Sequence, residues 1–261
     1  MSWRPLASVC QVEDVASDLL SVLNRAADAV VEALSAQQDW GLVRPGGAQY
    51  HHDLVADAAA VAVLDAAGLG VLSEESGLHH PERPVTVVVD PVDGSTNASR
   101  GLPWWAVSLC ALGTSGPLAA VVFSPATGAR FEAERGGGAR RNGEAVRPAP
   151  TSELRNAVVA FNGYPASHFG WAQYRSLGAS ALDLCAVASG SLDGFVDCSR
   201  LGSAPWDYLG GLLVCQEAGA FVSELNGAEV VLRQPGARRT IVAAATAGLL
   251  EQLLAARRAL G

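Results

Sequence analysis

The chain has 261 residues, enough for one large domain or two medium ones and too many to need disulfide or metal stapling simply to fold. Its formal net charge is −8, from 26 acidic and 18 basic residues without a basic run, so a nucleic acid partner is not expected. Hydrophobic residues make up 49% but are dispersed, and no stretch reaches the roughly 20 apolar residues of a bilayer span, so no membrane role is expected either.

Lysine is absent, so Schiff-base enzymes, pyridoxal phosphate enzymes and P-loop nucleotide triphosphatases lack their essential amine. The five cysteines (Cys10, Cys110, Cys185, Cys198, Cys215) are scattered, without CxxC spacing, and read as reduced structural thiols. The first twenty residues carry no secretory pattern, so a cytoplasmic location is expected.

In chain order, Val12 to Leu34 repeats apolar residues at three- and four-residue spacings, which predicts an amphipathic helix. Asp53 to Ala67 predicts a second, ended by Gly68 and Gly70. A short apolar run, Gly70 to Leu72, stops at Ser73-Glu74-Glu75-Ser76, and Val85 to Val89 reads as a buried strand running into Asp90-Pro91-Val92-Asp93-Gly94-Ser95-Thr96-Asn97. Trp105 to Leu112, Pro117 to Phe123 and Ala129 to Glu134 are strand-like and separated by turn signals, which predicts an antiparallel meander. A polar, proline-rich stretch at Val146 to Thr151 marks the expected boundary between a 1–150 part and a 151–261 part. In the latter, Ala157 to Phe161, Ser180 to Ser189, Gly194 to Cys198, Trp206 to Ala218 and Thr240 to Ala243 alternate between strand and helix character.

Three acidic clusters stand at strand-to-turn or turn-to-helix junctions: Glu74-Glu75, Asp90 to Asp93, and Trp206-Asp207 ahead of an apolar helix. Gathered carboxylates repel one another unless a cation neutralises them, and hard oxygen ligands suit magnesium or manganese better than zinc. Gly94 permits a tight turn, and a helix opening at Ser95 would present free N–H groups to an anion beside the metal. Each motif alone is also a good turn or helix cap, but both occur here, in order.

Together they resemble the signatures of the inositol monophosphatase family: D-P-[aliphatic]-D-G-[ST]-T-N at Asp90 to Asn97, and W-D followed by two small residues and E-A-G at Trp206 to Gly219. Glu74-Glu75-Ser76, Arg175 to Ala181 and Ala188 to Gly194 also look like family segments, so the resemblance runs from about residue 50 onward.

The resemblance implies a lithium-sensitive, Mg²⁺-dependent phosphomonoesterase of layered α/β/α/β/α architecture. Its N-terminal helices and antiparallel sheet would precede a C-terminal mixed-sheet α/β subdomain, and it would usually form a homodimer. It places Glu74, Asp90 and the Val92 carbonyl on one metal, and Asp90, Asp93 and Asp207 on a second. Two or three Mg²⁺ ions are expected, with Mn²⁺ as the alternative. Gly94 and Ser95 would bind phosphate through backbone N–H groups, the Ser95 hydroxyl would orient the attacking water, and Gly178 and Ala179 would line the substrate.

The chain also departs from the family. The aspartate expected to serve the water lies in a shortened Asp53-Leu54-Val55-Ala56-Asp57 segment without threonine, so Asp57 is assigned with Asp53 as the alternative. Where inositol-preferring members carry a glutamate, counting back from Asp207 reaches Arg200, whose planar fork matches a second anionic group. The expected substrate is a small phosphorylated metabolite, with inositol monophosphate first and histidinol phosphate, adenosine 3',5'-bisphosphate and fructose 1,6-bisphosphate as alternatives. An inactive regulatory or scaffold homologue is the reading of a different class.

Four further features receive structural readings. His51-His52 and His79-His80 read as surface loops, since neighbours on a strand point to opposite faces. Trp104-Trp105 reads as an anchor or a wall of the entrance, Gly136 to Gly138 as a hairpin loop, and Glu217 as support for the second-motif helix.

Overall fold

The computed structural model describes residues 9–45, 47 and 49–259, with side chains from residue 18 onward. Two long helices, α1 (Val9–Ala36) and α2 (His51–Ala66), open the chain. The spacing read from the sequence is the buried stripe of α1: Leu19, Val22, Leu23, Ala26, Val30 and Leu34 are all buried. Val15 and Cys10 lie outside the residues whose side chains are described.

The strands β1 (Gly70–Ser73), β2 (Gly77–His79) and β3 (Thr86–Asp93) follow, then a one-turn helix α3 (Ser95–Ser99). Next come β4 (Ala106–Gly113), β5 (Gly116–Ser124), β6 (Ala129–Glu134), β7 (Gly138–Arg141) and β8 (Glu144–Ala145). They form one sheet of order β2-β1-β3-β4-β5-β6-β7-β8. The meander is antiparallel as expected, but β1 and β3 are parallel, so the sheet is mixed. The reason is the hairpin β1–β2, which takes the outer edge of β1 and leaves β3 the opposite edge, reached in the same direction.

The central strands of this sheet are covered on both faces. Along β3 and β4, Val87, Val89, Val107, Leu109 and Ala111 join the core with α1 and α2, while Val88, Ala106, Cys110 and Leu112 face the other way. Alternate residues of one strand thus belong to two cores, which is why the β-branched run Val87-Val88-Val89 has no polar position.

The second half contains β9 (Val158–Gly163), β10 (Gln173–Arg175), α4 (Ser180–Ala188), β11 (Gly194–Cys198), α5 (Pro205–Ala218), β12 (Phe221–Glu224), β13 (Ile241–Ala244) and α6 (Ala247–Arg258). Its mixed sheet has the order β10-β9-β11-β13-β12. Helices α4 and α5 lie between the two sheets, in one core with Val88, Cys110 and Phe131 on one side and Ala160, Phe195 and Ile241 on the other. Leu249 and Leu253 of α6 close the far face over Val159, Phe161 and Val242. The layers therefore run α/β/α/β/α, as the resemblance implies. Such a central layer demands close approach: a Cβ on Gly210 would stand 2.7 Å from Ser108 Oγ, and one on Gly211 2.6 Å from Leu184 Cβ. Two adjacent glycines let α5 touch a sheet and a helix at once.

Candidate active site

The acids of the motifs all fall at element ends. Glu74 directly follows β1, and its N–H still donates to Val89 O at 3.1 Å, so the residue stays fixed against β3. At the end of β3, Asp90 pairs with Ser108 and Asp93 with Ala106, one residue more on β3 than on β4. This is a bulge at Pro91-Val92, where proline has no N–H to lose and Val92 N–H donates to Asp90 Oδ1 at 3.0 Å. The bulge sets Asp90 and Asp93 on the same end of the sheet without a long loop.

Asp207 enters from the N-terminus of α5. Pro205 opens that helix, and Asp207 Oδ2 accepts from Ala204 N–H at 2.7 Å, a cap that fixes the carboxylate by one oxygen and leaves the other free. Glu74, Asp90 and Asp207 each offer an oxygen, and the three oxygens lie within 4.8 Å of one another. Asp93 stands beside them but is turned aside: its Oδ2 accepts from Ala181 N–H at 2.7 Å, docking α4 on the first motif.

Three acids so close disfavour each other's charge. Burial, then the charges of Asp207 and Glu75, push the Glu74 carboxyl up to about 8, although part of that residue still faces solvent. Burial raises Asp207 to about 6, and burial with the neighbouring Glu74 charge raises Asp90 well above the ordinary range. Asp93 is raised likewise, by burial and then by Asp207. A site of several hard oxygens that resist ionisation together fits a divalent cation.

Beside the acids, Gly94 adopts φ 89° and Ser95 begins α3, whose first-turn N–H groups have no intrahelical partner. The Ser95 hydroxyl donates to Val92 O at 2.8 Å, so the carbonyl expected on a metal is engaged by the hydroxyl expected on the water. Gly178 and Ala179 reach this turn: a Cβ on Gly94 would stand 3.0 Å from Gly178 O and 3.2 Å from Ala179 Cβ. Asn97, whose role the motif alone did not reveal, ties the two loops by donating from Nδ2 to Trp104 O and Leu177 O, both at 2.7 Å.

The two candidate acids of α2 diverge. Asp57 accepts from the Ser73 hydroxyl, and Ser73 Oγ accepts from Glu75 N–H at 3.1 Å, so Asp57 braces the end of β1. Asp53 caps α2 by accepting from Tyr50 N–H at 3.0 Å, and it lies beside the Ser95 hydroxyl. Burial raises its pKa against the opposing pull of those two donors, and its charge in turn reaches Glu74 and Glu75. The acid next to Ser95 is Asp53, while Asp57 is spent on Ser73.

Arg200 lies in the exposed segment between β11 and α5 and makes no hydrogen bond or ion pair among the described residues. The cation whose field lowers Asp207 is Arg238, with its guanidinium 5.6 Å from the Trp206 ring centroid. Sequence reading missed it because it lies 31 positions after Asp207, in a segment without regular structure.

The remaining features divide. His51 and His52 are not in a surface loop: they open α2, and His52 is fully buried because α2 packs its first turn on Trp40. His79 ends β2, and His80 follows it with φ 49°. Trp105 is core, whereas Trp104 donates from Nε1 to Asp183 Oδ1 at 2.9 Å. The turn at Gly136 to Gly138 joins β6 and β7, and Glu217 accepts from Gly136 and Gly138 N–H at 2.9 and 3.1 Å. Cys110, Cys185, Cys198 and Cys215 are free thiols.

This arrangement has counterparts. A hypothetical protein from Pyrococcus horikoshii with similarities to inositol-1 monophosphatase superposes with a TM-score of 0.78 at 28% identity, over 95% of this chain and 99% of that one. The inositol-1-monophosphatase of Mesorhizobium japonicum is 34% identical over 244 residues, 83% of this chain and 89% of its own. The Nus factor SuhB of Vibrio cholerae is 34% identical over 173 residues, 60% of this chain, and the match spans 63% of that relative's length. The model of a family of metal-dependent phosphomonoesterases matches residues 52–261, most of the described fold and every acid gathered above, so the chain belongs to the inositol monophosphatase family.

Proposed function

We propose that this chain is a Mg²⁺-dependent phosphomonoesterase of a small phosphorylated metabolite, with inositol monophosphate as the first substrate to test. The observation that carries the reading is the meeting of Glu74, Asp90 and Asp207 oxygens within 4.8 Å of one another, beside the Gly94–Ser95 turn. Bound there, Mg²⁺ supplies a nucleophilic water at neutral pH and charge to offset the phosphate oxygens.

The residues of the chain do the rest. Glu74, Asp90 and Asp207 would hold the cation, with Mn²⁺ a fitting replacement, and the Val92 carbonyl and Asp93 are the further oxygens that would serve a second ion. The Gly94 and Ser95 N–H groups donate to the phosphate at the helix start. Asp53, the alternative to Asp57 in the sequence reading, accepts a proton from the attacking water while Ser95 orients it. Gly178 and Ala179 border the leaving group. Arg238 on Trp206, more than Arg200, is placed to meet a second anionic group, so histidinol phosphate, adenosine 3',5'-bisphosphate and fructose 1,6-bisphosphate remain in the substrate panel. A homodimer in the cytoplasm is the expected setting.

The test is phosphate release from these four esters with and without Mg²⁺, with Asp90→Asn as control. Turnover that requires the metal and disappears in the variant supports the reading. Metal binding without turnover on any ester overturns it in favour of a regulatory homologue.

A further inference from the structure

His52 is the one fully buried imidazole among the described residues. Its ring is held between Trp40, at 4.7 Å between centroids and 32° between planes, and Tyr50, at 5.1 Å and 34°. Trp40 is itself braced edge-on by Trp105 at 6.4 Å. The His52 Nε2 stands 3.2 Å from Asp53 Oδ1, and in this conformation these two buried atoms, like His52 Nδ1, make no hydrogen bond, so they face each other unsatisfied. A leucine or phenylalanine would fill the same aromatic slot without the desolvation cost of burying unmet ring nitrogens. A histidine here is explained by what it does for Asp53.

We propose that His52 is a positioning residue for the phosphatase reaction, whose Nε2–H holds Asp53 Oδ1 and so fixes the carboxylate toward Ser95 and the attacking water. The proposal rests on the reading in which Asp53 and Ser95 serve that water. Burial pushes the imidazole down to about 4, against a weaker opposing pull from the Trp40 backbone, so at neutral pH the ring carries one proton and no charge. A neutral donor suits this position, because an arginine would fix the carboxylate but drain its basicity, whereas imidazole constrains direction and leaves the charge to act on water. Oδ2 already accepts from Tyr50 N–H, and the proposed Nε2–H contact would fix the direction of Oδ1, 3.2 Å away.

The experiment uses the full chain with saturating Mg²⁺ and the best ester of the panel, measuring kcat, KM and melting temperature. His52→Phe, which keeps the stack and loses the donor, is expected to lower kcat about 10- to 100-fold with KM and Mg²⁺ half-saturation within about twofold. His52→Gln, which restores an N–H at the same reach, should recover most of the loss. In an Asp53→Asn background His52→Phe should cost nothing further. If His52→Phe does not fold, His52→Met against His52→Gln makes the same comparison. A His52→Phe or His52→Met protein with kcat within twofold of wild type, or losses that multiply independently with Asp53→Asn, overturns the proposal. A wild-type chain that releases phosphate from none of the esters overturns the phosphatase reading itself, and this role with it.

Discussion

Helices α2 and α5 begin in the same way. In each, the third helical residue is an aspartate that turns back to accept the N–H of the capping residue, Asp53 from Tyr50 and Asp207 from Ala204, and so spends one oxygen on the helix. Yet the start of α5 announces itself, with Pro205 at the first position and Trp206-Asp207 behind it, whereas α2 opens on tyrosine and two histidines. A helix start that proline fixes locally is readable from sequence. One fixed by the stacking of His52 on a tryptophan twelve residues away is not.

The hardest test of the comparison is to remove charge and keep shape at the sheet end. Asp90→Asn or Asp93→Asn should lower kcat by about three orders of magnitude or more while urea unfolding stays cooperative, since removing a charge held for the cation is worth several kcal/mol. Next, the two acids of α2 should separate: Asp53→Asn should cost about a hundredfold in kcat, and Asp57→Asn less than tenfold in kcat but about 1–3 kcal/mol in unfolding free energy. The reverse order of kcat losses would return the water to Asp57. Gly211→Ala tests α5 as a packed element and should cost about 1–3 kcal/mol in urea titrations, because its new methyl meets Leu184 Cβ at 2.6 Å.

The smallest effect is pH-dependent. Glu74 rises to about 8 and Asp207 to about 6, both above their unfolded values near 4. Above about pH 4 the folded, metal-free protein holds more protons than the unfolded chain, so the contribution of these acids to stability is full only below about pH 4 and is lost as pH rises through 6 toward 8. Thermal melts of metal-free protein should therefore fall by a few degrees from pH 5 to pH 8. Saturating Mg²⁺, which favours the ionised acids, should remove or invert that slope.

Much of this was legible in the sequence. The stripe Leu19 to Leu34, the run Val87 to Val89 and the two motifs each encode their structure within a few residues, through period, β-branching or a forced turn. What was missed depends on partners distant in sequence. Strand β2 and the parallel pairing of β1 with β3 are set by which edge is already taken, and Arg238 acquires meaning only by folding over Trp206. Helix α6 carried a local signal that went unread: Thr246 caps it through Leu249 N–H, and Arg257 and Arg258 end it.

Helix α5 carries Asp207 in its first turn and Glu217 in its last, with that second carboxylate gripping the turn between β6 and β7. Fourteen residues make a rod of about 21 Å, gripped at mid-length by the sheet on one flank and α4 on the other. The surface glycine turn and the buried Asp207 carboxylate are thus docked at opposite ends of one rod, whose packed middle fixes the distance between them.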